Sequence, residues 1–508
     1  MITPLQWTVL SVYFAALGVL AIYGLHRYHL VYLYLKYRRR PPRPLASFEE
    51  PPVVTVQLPL YNEMYVVERL IRAVCALDYP RDRLEIQVLD DSTDETTGIV
   101  RDLVRQMRAA GHDIRHLHRT VRSGFKAGAL ADGLASARGE FIAIFDADFM
   151  PTPDFLERSV HFFTDPKVGM VQVRWGHLNR DYSLLTRIQS IFLDGHFIIE
   201  HTARNRSGRF FNFNGTAGVW RRACIESAGG WQHDTLTEDL DLSYRAQLRG
   251  WKFVFLPEVQ SPAELPVDMD SFKSQQHRWA KGSIQTGKKL LPAIWKSSLP
   301  FKVKLEAFFH LSSNGAYPLM IVVSLLMFPS LVIRRHLNWS HFLWIDLLLF
   351  ASATFSISTF YLCSQREARR SWIRSLKYLP LLMSLGIGLS VNNARAVLEA
   401  LLNRQSEFTR TPKYGVIHRQ RRGGPARYRS ARSLFTLAEA ALAAYFGIAA
   451  VYCLKQRMYL SLPFLMLFLG GFAYTASLSL AQQWRAAESP TRRAATRAAR
   501  LAQPSLRG

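Results

Sequence analysis

Apolar residues in this 508-residue chain fall into blocks of two kinds. Five blocks are long and nearly unbroken. Residues 7–25, 314–333 and 459–480 carry no charge, 342–363 carries only Asp346, and 433–454 carries only Glu439. An α-helix needs about 20 apolar residues to cross roughly 30 Å of hydrocarbon, so each block predicts a transmembrane helix. The blocks of the second kind are short and alternate with helical stretches. Strands are predicted at 53–58 (VVTVQL), 84–89 (LEIQVL), 141–145 (FIAIF), 168–175 (VGMVQVRW) and 251–256 (WKFVFL). Helices are predicted from PLYNE to residue 76, over 94–110 and over 126–137. This alternation predicts an α/β domain inserted between transmembrane helices. Three regions follow: 1–45, a helix and a basic stretch; 46–300, the α/β domain; and 301–508, four further spans with a basic tail.

Residues 378–402 begin apolar (YLPLLMSLGIGL) and turn polar at Asn392, Asn393, Arg395 and Glu399, the pattern of an interfacial or re-entrant helix. Charge refines the topology. The net charge is +25, and the segments 26–45, 364–377, 404–432 and 481–508 hold 26 Lys and Arg against three acids. Each segment adjoins a long apolar run, as the positive-inside rule expects of cytoplasmic loops, so a membrane protein is favoured over a nucleic-acid binder. Five spans then put the N-terminus outside and the α/β domain in the cytoplasm, in a multi-pass protein of the cell membrane. Arg334, Arg335, Lys455 and Arg457 fit this map poorly. A signal peptide at the first run is disfavoured, because no basic region precedes it. Four widely spaced cysteines without a CxxC argue against a disulfide scaffold or zinc knuckle.

Acidic clusters stand where predicted strands end. In such sheets ligands bind beyond the carboxyl ends of the strands. Asp146 and Asp148 are alternate residues after FIAIF and are able to turn two carboxylates toward one divalent cation; a turn with capping acids is the plainer alternative. Asp90 and Asp91 follow LEIQVL, where they could equally cap the next helix. Thr237-Glu238-Asp239 offers a general base, or an N-cap led by Thr237. Gln275 and Arg278 lie three apart on one helix face, with Trp279 beside them; Arg suits phosphate and Trp suits a sugar ring, whereas an amphipathic membrane-surface helix needs neither. Lys126, in GFKAGAL, is placed to hold a diphosphate at a helix start.

The strings QLPLYNE, IQVLDDSTDET, KAGAL, FIAIFDADFMPTPDFL, VQVRW, FNGTAGVWR, GWKFVFL and QQHRW occur in this order. Together they resemble the processive, inverting glycosyltransferase family 2 enzymes of the cellulose synthase superfamily, and most closely the cellulose-synthase-like A group that makes β-mannan and glucomannan. The resemblance implies a GT-A nucleotide-sugar-binding fold. It further implies that Asp91, Lys126, Asp146, Gln275 and Arg278 contact the nucleotide sugar, that Asp146 and Asp148 hold Mg2+ or Mn2+, that Asp239 is the catalytic base, and that Trp279 stacks on the acceptor. The stretch FFNFNGTAG stands where cellulose synthases carry FFCGS, which favours the mannan type. Glu407–Lys413 resembles the synthases' FxVTxK gating loop within 404–432, with Arg410 in the place of Val.

The expected partners are a nucleotide-diphosphate sugar, a growing polysaccharide, membrane lipids and export partners. GDP-mannose and UDP-glucose are not distinguished. The membrane region is expected either to anchor the domain or to form a channel for the polymer. The alternatives are a lipid glucosyltransferase of the ceramide glucosyltransferase type and a transport or binding protein without catalysis.

Overall fold

The short apolar blocks assemble into one seven-stranded sheet. Its strands are β1 (Val54–Leu60), β2 (Leu84–Asp90), β3 (Asp113–His118), β4 (Phe141–Ile144), β5 (Val168–His177), β6 (Gly218–Arg221) and β7 (Lys252–Ala263), in the order β3-β2-β1-β4-β6-β5-β7. These come from a computed structural model that describes residues 2–339, 343–404, 410–417, 420–421 and 435–501. Neighbouring strands are parallel except around β6, which runs antiparallel to β4 and β5. β3 and β6 were not anticipated. β3 reads DIRHLH, an edge strand with polar side chains, and β6 is only the four residues GVWR, so neither presents an apolar run. β7 continues past residue 256 to Ala263, with a register shift opposite Val173 and Arg174.

The helices of the first 300 residues include α1 (Pro4–Tyr37), α2 (Val67–Cys75), α3 (Thr96–Ala109), α4 (Phe125–Ser136), α5 (Glu238–Leu248) and α6 (Met269–Lys296). Val67, Leu70 and Val74 of α2 and Val100 of α3 pack on Val54, Val56 and Leu58. Ala127, Leu130 and Leu134 of α4 join Ile142, Ile144, Met170 and Trp220 in a second core. The central strands are therefore buried on both faces, which is why they read as unbroken apolar runs. Their register sets Leu60 beside Asp90 and Gln57 beside Ile144. The acids that follow β2 and β4 thus emerge along one edge of the sheet, near the point where strand order reverses between β1 and β4.

The remaining helices are α7 (Phe301–Ser312), α8 (Ala316–His336), α9 (Leu343–Glu367), α10 (Leu379–Gly388), α11 (Ser390–Leu401), α12 (Thr436–Lys455) and α13 (Leu462–Leu501). Among the described residues, five helical segments are long and apolar enough to cross a membrane: Pro4–Tyr37, Phe301–His336, Leu343–Glu367, Thr436–Lys455 and Tyr459–Trp484. The second begins well before the predicted 314. The ambiguous stretch is a broken helix, bent by 40° between Gly388 and Ser390. Charges inside the apolar runs find partners far away in sequence. Arg334 is buried and pairs with Asp346, whose other oxygen accepts from the Tyr13 hydroxyl at 2.7 Å. Glu439 accepts from Lys273 of α6 at 2.6 Å. An ionisable group in an apolar medium is costly unless it is paired in this way.

Candidate active site

Strand ends, helix starts and one loop from the membrane region enclose a pocket of about 210 Å3. All eight residues singled out in the sequence line it: Asp91, Lys126, Asp146, Asp148, Asp239, Gln275, Arg278 and Trp279. Asp91 lies just past β2, where its backbone N–H bonds Leu60 O. Asp146 follows β4, and its N–H is held by Thr216 Oγ1 at 2.9 Å. Asp239 sits in the first turn of α5, and Gln275, Arg278 and Trp279 lie along α6.

The pocket's carboxylates are charge-compensated by neighbouring cations. Lys126 Nζ lies 2.5 Å from Asp146 Oδ1 and 2.8 Å from Gly215 O. Lys413 Nζ lies 2.6 Å from Asp148 Oδ2. Arg119 makes two 2.7 Å bonds to Asp91. Arg278 donates to Thr411 Oγ1 at 3.2 Å, and Arg410 grips Glu63 through bonds of 2.9 and 2.7 Å. Residues 410–414 therefore close one side of the pocket. The rest of the gating-like segment lies largely outside the described residues.

Burial pushes the Asp239 carboxyl up to about 7, helped by neighbouring Glu238 and opposed by Lys126. Glu238 is raised by burial too. Burial draws the Lys126 ammonium down, but Asp146 and Glu238 outweigh it and leave Lys126 above its ordinary value. Burial lowers Arg278. Glu63 is pushed up to about 7 by burial despite Arg410. Perturbed groups of this kind cluster where charge must appear or disappear. The capping alternative for Thr237 is not realised, because its side chain makes no cap hydrogen bond. Asp239 Oδ1 instead accepts from Leu240 N at 2.8 Å. Gly215, at φ 80°, lets the backbone approach: a Cβ there would lie 3.2 Å from Asp239 Oδ2 and 3.3 Å from Lys126 Nζ.

Two donor sets have the chemistry to hold a cation. Asp146 and Asp148 offer hard carboxylate oxygens inside the pocket. Asp90, His116 and His118 bring three donor atoms within 4.8 Å of one another, and both rings hydrogen-bond Asp90 Oδ2, at 2.9 and 3.3 Å. Sequence patterns assigned no role to Glu63, Arg119, Arg122 or Asn214, and named Glu238 only within the Thr237-Glu238-Asp239 cluster and Lys413 only within the gating-like loop. Arg122 lies 3.6 Å from the Tyr61 ring centroid, a flat stacking surface beside Asp91. Glu63 and Lys413 stood inside quoted strings, but their meeting in the pocket depends on contacts spanning hundreds of residues.

Residues 51–282 match the family described as "Glycosyltransferase like family 2". Glucomannan 4-beta-mannosyltransferase 2 of Arabidopsis thaliana is 47% identical over 248 residues, 48% of this chain and 46% of that protein. Probable glucomannan 4-beta-mannosyltransferase 3 of Oryza sativa subsp. japonica is 41% identical over 292 residues, covering 55% and 53%. The chain thus spans about half the length of the curated relatives it matches. A solved mannosyltransferase of Pyrobaculum calidifontis, in complex with GDP-Man and Mn2+, aligns at 21% identity with a TM-score of 0.48 over 79% of this chain and 100% of that one. With its sheet, its strand-end acids and this match in place, the segment 51–282 is a glycosyltransferase family 2 domain.

Proposed function

We propose that the chain is a membrane-embedded, inverting hexosyltransferase that moves a sugar from a nucleotide-diphosphate donor to a growing β-glycan of the mannan or glucomannan type. The observation that carries this reading is the convergence of Asp239, its carboxyl raised to about 7, with Lys126, Arg278 and the Asp146/Asp148 pair around one pocket. GDP-mannose is the preferred donor, because the relatives at 41–47% identity are named as glucomannan mannosyltransferases.

Lys126 and Arg278 hold the diphosphate and offset the charge that develops on it. Tyr61 and Arg122 flank the nucleotide beside Asp91. Trp279 supports the acceptor ring. Asp239, deprotonated, takes the proton of the acceptor hydroxyl as that oxygen bonds to the sugar's anomeric carbon. The bond from that carbon to the diphosphate breaks with its electron pair, and attack from the opposite face turns an α-linked donor into a β-linkage. No covalent intermediate is required. Asp146 and Asp148 fit Mg2+ or Mn2+ by their hard oxygens, and a cation held there neutralises the leaving diphosphate. Lys413 occupies Asp148 in the described arrangement, so donor loading entails movement of residues 410–414. The basic flanks support a cytoplasmic position for the domain. Incubating the membrane-reconstituted chain with labelled GDP-mannose and UDP-glucose, followed by linkage analysis, tests the reading. β-Linked polymer from either donor supports it, and the absence of transfer from both overturns it.

A further inference from the structure

A second cavity, of about 450 Å3, lies between the sheet and the ends of α1 and α9, away from the catalytic pocket. Arg174 of β5, Arg206 and Arg369 line it, with Tyr34, Glu258 and Glu367. An adjoining recess shares Arg174, Gln260 and Ala368 and adds Arg370, and it is also lined by Trp175, Gly176 and His177, which line the candidate active site as well. Four guanidinium groups therefore border one connected space.

The acids nearby are shared with other partners or exposed. Glu367 is taken by Arg38 at 2.5 Å and by the Tyr34 hydroxyl at 2.8 Å. Asp194, in the recess, accepts from Arg180, His177 and Gln365 at 3.1, 3.3 and 3.0 Å. Glu258 is exposed. Among the described residues, the side chains of Arg174, Arg369 and Arg370 make no hydrogen bond or ion pair, and Arg206 reaches only the backbone carbonyl of Arg38. Nε of Arg174 and of Arg206 is buried without an acceptor. Burial pushes both guanidinium groups below their ordinary value; at Arg174 Asp194 and Glu258 oppose it and Arg370 adds repulsion, and at Arg206 Glu258 opposes it.

Most other arginines of the domain are matched to a carboxylate or a carbonyl. Half-buried Arg174 and Arg206, each with an Nε that meets no acceptor, face a space of ligand size together with the exposed Arg369. Guanidinium forks match phosphate oxygens in pairs. Tyr34 and Glu367, near the ends of the long apolar helices α1 and α9, put the cavity beside the membrane-facing part of the chain.

We propose that this cavity binds a phosphate-bearing anion between Arg174, Arg206 and Arg369, either the phosphodiester of an acidic lipid headgroup or a free phosphate. The proposal stands independently of the transferase reading. Its test is the Tm of the full chain in uncharged detergent with added dihexanoyl phosphatidylglycerol, dihexanoyl phosphatidylcholine or inorganic phosphate. Phosphatidylglycerol is expected to raise Tm by at least about 2 °C, whereas the zwitterionic lipid does not. An equal rise with millimolar phosphate assigns the site to a free anion, and a rise with phosphatidylglycerol alone assigns it to a lipid. Arg369→Gln, at an exposed position, should cut the shift by half or more, and Arg174→Gln with Arg369→Gln should abolish it. Arg174→Lys, which keeps the charge, should retain part of it. A Tm unmoved by any anion, or a shift of the same size in the double variant, overturns the proposal.

Discussion

The candidate pocket and the membrane helices both hold charge out of bulk water, and they manage it differently. In the membrane helices each buried charge has a fixed partner: Arg334 with Asp346, and Glu439 with Lys273. In the pocket Asp91 and Glu63 meet arginines, and Asp146 and Asp148 meet lysines. Lys126 lies on Asp146 and Lys413 on Asp148, each beside open space. Fixed pairing stabilises one arrangement of helices. Exchangeable pairing leaves the carboxylates available to a cation and Asp239 near the point where it gains or loses a proton. The difference separates charge used for structure from charge used for chemistry.

The sharpest way to break this comparison is Asp239→Asn. The asparagine keeps the shape and the local hydrogen bond, so the protein should fold and bind donor normally, with transfer reduced by roughly two to four orders of magnitude. Activity above about a tenth of wild type would remove Asp239 from the role of base, since a lost general base costs far more.

Next in size is the membrane side. Arg334→Leu should cost about 3–5 kcal/mol by leaving Asp346 charged and unpaired. The double change Arg334→Leu with Asp346→Leu should recover most of that loss. Thermal unfolding of the purified chain reads both. If the single variant is as stable as wild type, the pair does not hold the helices together.

The pH dependence sharpens the pocket side. Asp239 acts as a base only when deprotonated, and its carboxyl is raised to about 7. The rate at low donor concentration should therefore fall about tenfold per pH unit below 7 and level off above it. An acid limb near the ordinary carboxylate range would mean that the base is a more exposed group.

The smallest expected effect is that of Arg410→Ala, which frees Glu63 from the loop that closes the pocket. The donor KM should change a few-fold with kcat nearly preserved, because this contact is remote from the reacting atoms. An equal loss in kcat would place Arg410 nearer the chemistry.

Much was legible before folding because strong local signals coincide with function here. Twenty-residue apolar runs, buried parallel strands and acids at strand ends each depend on neighbours within a few residues. All eight proposed site residues were assigned their roles from the family resemblance carried by the order of these motifs, and they line one pocket. What was missed had no local signal. β3 is a polar edge strand and β6 is four residues long, so pairing alone makes them strands.

The sequence by itself determined the division into membrane helices and an α/β domain, the family of that domain, and the strand ends at which its acids lie. Periodicity and apolar run length encode secondary structure directly, and a motif keeps its spacing whatever surrounds it. Only the tertiary structure decided how charges meet. It brought Lys413 to Asp148 across 265 residues, Arg410 to Glu63 across 347, and Lys273 to Glu439 across 166. It also left Arg174, Arg369 and Arg370 around a cavity without acceptors. Electrostatic pairing depends on distance in space and on the water excluded around it, and neither is written into the order of residues.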